Sequence, residues 1–168
     1  METVHRTLPS RRLHSAGFTL LELLVTVIVA GILLAIAVPS FLSTIRSQQT
    51  ADIVNKFAQD VAWARGEAIA GHTVTMQITA DGSWQTIVDG GTADPNHSMT
   101  FAQLQADAPG VSCSLGGGSC GTPLMTFDGI GILNNAPVGI VQYSSDKMSS
   151  TFQVFASGAV VVNPSYAS

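Results

Sequence analysis

From Leu23 to Phe41 no position is charged, and with Phe18 to Leu21 on its other side Glu22 is the one ionisable group in about 24 residues. About 20 such residues suffice for a helix that crosses a bilayer, so the first predicted element is a membrane-spanning or assembly helix over 18–42. Beyond it the apolar positions thin to a stripe. Phe41, Ile45, Ile53, Phe57, Val61, Ala64 and Ala68 recur close to every fourth residue, which predicts an amphipathic helix over 43–71. Arg46, Ser47, Thr50, Lys56, Asp60 and Glu67 are expected on its other faces. Asp52 with Lys56, and Lys56 with Asp60, have the spacing of helical ion pairs, and Gly71 is the expected stop. Joined, the two halves form a helix from about Phe18 to about Ala70, about 80 Å long. No small globular domain buries such a rod, so its first half belongs in a bilayer or among like helices. Pro39 lies near the junction and lacks the N–H of a helix interior, which predicts a helix break there, as a kink or a locally unwound turn.

After Gly71 the period changes from four to two: Val74, Met76 and Ile78 alternate with Thr75 and Gln77, the pattern of a half-buried strand. Asp81-Gly82 marks a turn, with Trp84 to Val88 as the hairpin partner. Further strands are predicted near Met99 to Leu104, Leu124 to Phe127, Gly139 to Tyr143, Phe152 to Ala156 and Ala159 to Val162, the last two joined by Ser157-Gly158. Asp89 to His97 and Leu115 to Pro123 read as loops, where partner contacts concentrate. The fold class is therefore α+β, a long N-terminal helix followed by a β-rich domain over 72–168.

Composition sharpens this picture in two places. Charged residues make up only 11% of the chain, against about a quarter in an average soluble protein, and the apolar segment accounts for part of the deficit. Arg6, Arg11 and Arg12 against Glu2 give residues 1–17 a net +2, which leaves −6 for the remainder of a chain whose total is −4. Basic residues stay on the cytoplasmic side of a first span, so the C-terminal portion is expected to face a periplasm-like space. Its acidity argues against a nucleic-acid partner. In such a compartment Cys113 and Cys120, which flank Ser114 to Ser119, suit a structural disulfide. The entropic estimate for so small a loop is about 2 to 3 kcal/mol. The pair lacks the C-x-x-C spacing of a redox or metal site.

Glu22 is costly where it stands. A carboxylate well inside hydrocarbon is penalised by about 2.5 to 3.5 kcal/mol even on lenient scales, so it needs a partner. One alternative is that it reaches toward lipid headgroups from the first helical turn, helped by the helix dipole.

The run Gly17-Phe18-Thr19-Leu20-Leu21-Glu22, behind a short basic leader, resembles the class III leader of type IV pilins and type II secretion pseudopilins. The resemblance implies that residues 1–17 are cut off by a prepilin peptidase between Gly17 and Phe18, with N-methylation of Phe18. Glu22 then becomes the fifth mature residue and Pro39 the twenty-second, both as in that family. In a packed filament the freed amine of Phe18 could lie against the Glu22 carboxylate of a neighbour, which is the assembly role expected of Glu22. Ala64-Arg65-Gly66-Glu67-Ala68-Ile69 before Val74, and the closing hairpin Phe152 to Val162, are similar to the GspH/FimT family. That similarity implies a pilin-like fold and a minor pseudopilin near the tip of a periplasmic pseudopilus, or a FimT/FimU-like minor pilin that primes a type IV pilus. The implied partners are other pseudopilins or pilins, the prepilin peptidase and an inner-membrane assembly platform. The implied location is the bacterial inner membrane, single-pass, with the C-terminal domain in the periplasm. Some FimT-like members bind DNA through arginines after the glycine that Gly158 matches; here Ala159-Val160-Val161-Val162 follows, without a cation.

Competing chemistry is weaker. Ala35-Ile36-Ala37 resembles a signal-peptidase site, but the apolar run before it is too long and carries Glu22. Gly117-Gly118-Ser119-Cys120-Gly121 matches G-x-S-x-G on paper, yet a nucleophile elbow needs a strand before the serine and a helix after it, and here a glycine loop precedes and Thr122-Pro123 follows. His72 and His97 have no acid and nucleophile in recognisable order and are expected at the surface. Asp81, Asp89 and Asp94 lack the spacing of a calcium loop and suit turns. Asn96-His97-Ser98 fits a glycosylation sequon, a weak pattern alone. No enzyme activity, metal or cofactor is expected.

Overall fold

The computed structural model describes residues 18–137, 139–145 and 148–166. The chain divides into two compact units, Met1–Pro39 and Ser40–Ser168. Helix α1 spans Leu20–Ile69 with Pro39 inside it. In the first unit its side chains from Leu20 to Val38 are exposed, and the helix is long and apolar enough to cross a membrane.

The second unit carries the core. Strands β1 (Val74–Ile78) and β2 (Trp84–Val88) precede helix α2 (Phe101–Asp107), followed by β3 (Ser112–Leu115), β4 (Gly118–Ser119), β5 (Met125–Phe127), β6 (Leu133–Asn134), β7 (Val141–Ser145), β8 (Met148–Val154) and β9 (Val160–Tyr166). They form two antiparallel sheets, ordered β2-β1-β5-β6 and β4-β3-β7-β8-β9. This is the α+β, pilin-like arrangement of a long N-terminal helix and a C-terminal antiparallel β domain. In the first sheet Val74 faces Val88 and Ile78 faces Trp84. In the second, β8 and β9 pair from Val154↔Val160 to Met148↔Tyr166.

The helical stripe is buried from Thr50 onward: Ile53, Val54, Phe57, Val61, Ala64 and Ala68 meet Val74, Met76, Ile78, Met125 and Phe127 of the first sheet and Val141, Tyr143, Phe152 and Val154 of the second in one cluster. Phe57 touches both sheets, edge-on to Trp84 with ring centroids 5.4 Å apart and tilted against Phe152 at 4.7 Å. The helix stops where glycine permits. Gly71, with φ 105°, turns the chain left-handed, its N–H donates to the Ala68 carbonyl at 3.1 Å, and the His72 N–H donates to Glu67 at 3.1 Å. Two of the last free carbonyls are thereby satisfied.

Three expectations are corrected. Met99 to Leu104 is not a strand, because Thr100 caps α2: its hydroxyl accepts the Gln103 N–H and the Gln103 side chain accepts the Thr100 N–H. That reciprocal box favours a helix, and it outweighs the β-like composition around it. Leu115 to Pro123 is not wholly loop, because Ser114 pairs with Ser119 and Leu115 with Gly118. Gly116 (φ 57°) and Gly117 (φ 85°) form the two-residue turn whose twist suits a tight hairpin. The buried face of the helix is wider than the apolar stripe, since Thr50 and Asp60, expected on other faces, are buried as well.

Candidate functional site

Gly17 lies outside the described residues. Phe18 and Thr19 precede α1, and the Thr19 hydroxyl accepts the Glu22 N–H at 3.2 Å. Thr19 therefore caps the helix that carries Glu22. Thr-x-x-Glu is the sequence signature of a capping box, a signal in Thr19-Leu20-Leu21-Glu22 that patterning by hydrophobicity passes over. The Glu22 side chain is exposed on the first turn, where an acid also favours the helix dipole. Among the described residues nothing bonds its carboxylate. The segment thus presents an apolar surface with one unmatched acid near its start, a surface suited to association in an apolar medium.

Cys113 and Cys120 are joined by a disulfide, with Cα atoms 5.4 Å apart, across the base of the β3–β4 hairpin. Cys120 is fully buried, and just beyond it Thr122 locks onto β1: its N–H donates to the Ile78 carbonyl at 2.9 Å and its hydroxyl accepts the Ile78 N–H at 2.9 Å. The Tyr143 hydroxyl donates to the Gly82 carbonyl, so β7 of the second sheet holds the β1–β2 turn of the first. Burial pushes this phenol well above its ordinary range. The pair and the tyrosine act as a brace between the sheets.

The polar residues singled out by sequence fall into structural networks. Asp60, 2% exposed, receives the Lys56 ammonium at 2.9 Å, the Trp84 indole N–H at 2.8 Å and His97 Nδ1 at 3.2 Å. A buried carboxylate is tolerated when its lone pairs are filled in this way. His97 also stacks on Trp63 at 3.7 Å, and Lys56 reaches the Asn96 carbonyl at 3.0 Å. The histidine expected at the surface is thus partly buried, and the network fastens the segment before α2 to α1. Asp81 and Asp94 serve turns, accepting the N–H groups of Ser83 and Asn96. The Thr79 hydroxyl, followed by the Ser83 N–H, holds the Asp81 carboxyl below its ordinary range. Ser119, the serine of the G-x-S-x-G match, sits in two-residue β4, and Cys120 to Leu124 after it are not helical.

His72 remains at the surface, as expected, with Asp89 at 2.7 Å and Glu67 at 3.7 Å. The hydrogen bond to Asp89, then the charge of Asp89, raises the imidazole above its ordinary value, and the His72 contact lowers Asp89. A raised histidine contributes stability that is complete below the unfolded value, about 6.5, and is lost as pH rises through the folded one. The depressed Asp89 contributes above the ordinary carboxylate range and loses that contribution in acid. Stability from this pair is therefore expected to peak between about pH 4 and 6.5. In urea titrations of the chain, the midpoint should fall as pH rises above that window, and His72→Gln should remove that part of the slope. An unchanged slope in the variant would show that the pair is not coupled to folding.

Two families of known proteins match this chain. The one described as Prokaryotic N-terminal methylation motif is similar over residues 12–38, and the one described as Type II transport protein GspH over residues 54–164. No curated protein and no solved structure is similar enough to count as a match.

Proposed function

This chain belongs to the type II transport protein GspH family, and from that premise we propose that it is a minor pseudopilin of a type II secretion system, a structural subunit near the tip of a periplasmic pseudopilus. One observation carries the reading: a lone acid, Glu22, stands near the start of an apolar helix within a match to the N-terminal methylation motif, and that helix runs into the GspH-matched domain. In this reading residues 1–17 are the leader, removed by the prepilin peptidase between Gly17 and Phe18, and Phe18 is N-methylated. Residues 18–42 anchor the subunit in the inner membrane until the assembly platform draws it into the filament. Residues 43–71 and 72–168 form the periplasmic part, braced by Cys113–Cys120.

The subunit works by packing, not by catalysis. A filament held by many like helices satisfies the apolar surface of the first unit, and the Phe18 amine of a neighbour satisfies Glu22. The basic leader supports retention of the N-terminus in the cytoplasm before cleavage. Deleting the gene in its native host separates the two machines that use such subunits. The secretion reading expects loss of exported proteins with surface pili intact. Loss of pili with secretion intact would overturn it in favour of a FimT/FimU-like minor pilin.

A further inference from the structure

Arg65 and Ile69 lie one helical turn apart and so share a face of α1, beside the buried stripe. Two turns from distant parts of the chain close over that face. A Cβ on Gly131 would lie 2.9 Å from Arg65 Cγ and Nε and 3.0 Å from Ile69 Cδ1; one on Gly158 would lie 3.1 Å from Arg65 Cδ and 3.3 Å from the Gly131 carbonyl. The aliphatic stem of Arg65 is thus inlaid in a slot that only glycine backbones leave open.

Around the slot stand four apolar side chains turned to solvent: Ile69 (54% exposed), Ile130 (71%), Ile132 (42%) and Phe155 (41%). They ride on an ordered platform. Asp128 Oδ1 accepts the N–H groups of Ile130 at 3.1 Å and Ile132 at 2.7 Å, and the Leu133 N–H donates to Ala156 at 2.7 Å, which ties the two turns together. Exposed apolar groups held rigidly lose little entropy on docking, and a cluster of them marks an interaction surface.

The charge at its centre narrows the occupant. Among the described residues the Arg65 guanidinium makes no hydrogen bond or ion pair. Covering it with apolar surface alone would strand a cation away from water. The surface that seats here must therefore bring an anion, and a carboxylate fits the guanidinium fork. A second copy packed two-fold would bring Arg65 toward Arg65, like against like. A lipid surface is disfavoured too, because one arginine in an acidic domain falls short of the clusters of Lys and Arg that anionic headgroups attract.

We propose that Ile69, Ile130, Ile132 and Phe155 around Arg65 form the docking face for the globular domain of a different pilin-type subunit, one that presents a carboxylate set among apolar side chains. The proposal rests on the assembly reading above. Its test uses the full chain in its native host, with the photo-crosslinking residue p-benzoyl-phenylalanine placed at Ile130, at Leu33 in the apolar helix, or at exposed Phe101 as a control. Illumination is expected to join Ile130, but not Phe101, to another subunit, with an Asp or Glu in the contact peptide identified by mass spectrometry. Arg65→Glu should reduce that product at least tenfold, and replacing the contacted acid by Arg in the partner should restore it. If Arg65→Glu fails to accumulate, Ile130→Asp serves instead, with the probe moved to Ile132 and the same loss expected.

Products of Ile130 with lipid, with a second copy alone, or with nothing while Leu33 still joins sibling subunits would overturn the docking face and leave the filament reading standing. Absence of products from both Leu33 and Ile130 would overturn the two together.

Discussion

Phe57→Ala is expected to destabilise the β domain by about 3 to 5 kcal/mol, the range for truncating a buried aromatic. The ring is fully buried, and it is the side chain of α1 that reaches Trp84 in one sheet and Phe152 in the other. Alanine would leave a cavity between the helix and both sheets, which the surrounding side chains would fill only in part. A domain of this size has a total stability of about 5 to 15 kcal/mol, so the variant should be largely unfolded in mild denaturant. The urea midpoint of the detergent-solubilised chain, followed by tryptophan fluorescence, measures the loss. Ile69→Ala, at the exposed end of the same helix, should change it by about 0.5 kcal/mol or less. A loss below about 1 kcal/mol at Phe57 would mean that the helix does not pack on the sheets in this way.

The second large effect is on assembly. Glu22→Ala should leave cleavage after Gly17 intact, read as the mass of the processed chain, while abolishing the crosslinks that a photoreactive residue at Leu33 makes with sibling subunits. Thr19 makes a sharper comparison possible. Because the Thr19 hydroxyl accepts the backbone N–H of residue 22, Glu22→Gln preserves the helix start but removes the charge. If charge neutralisation by a neighbour is what matters, Glu22→Gln fails to assemble as Glu22→Ala does. If Glu22→Gln assembles normally, a neutral polar side chain suffices at this position, and the pairing of Glu22 with a neighbouring Phe18 amine is wrong.

Both predictions start from features that patterning along the chain reveals, yet to different depths. The stripe containing Phe57 announces that this side chain is buried; it does not announce that Phe57 spans two sheets. Glu22 declares itself by its isolation, whereas its cap is visible only when Thr19 is read as a helix start. The strands at Val74–Ile78 and Trp84–Val88 follow from alternation and the Asp81-Gly82 turn, and the closing hairpin follows from Ser157-Gly158. Met99 to Leu104 misleads, because a single side-chain box at Thr100 outweighs composition over so short a run.

The long helix, the hairpin Val74–Ile78 with Trp84–Val88 and the closing hairpin were legible in the sequence alone, because helix and strand periods are set by near neighbours, and a long uncharged run has few places to go; α2, β3, β4 and β6 were not. Which polar groups lie buried, and which distant segments share a surface, was decided by packing. Asp60 looks like an ordinary solvated acid until Trp84 and His97 arrive from more than twenty residues away. The face around Arg65 exists only because Gly131 and Gly158 admit its stem between two turns. Such pairings depend on shape and desolvation at contact between remote parts of the chain, and no local pattern of hydrophobic and polar residues encodes them.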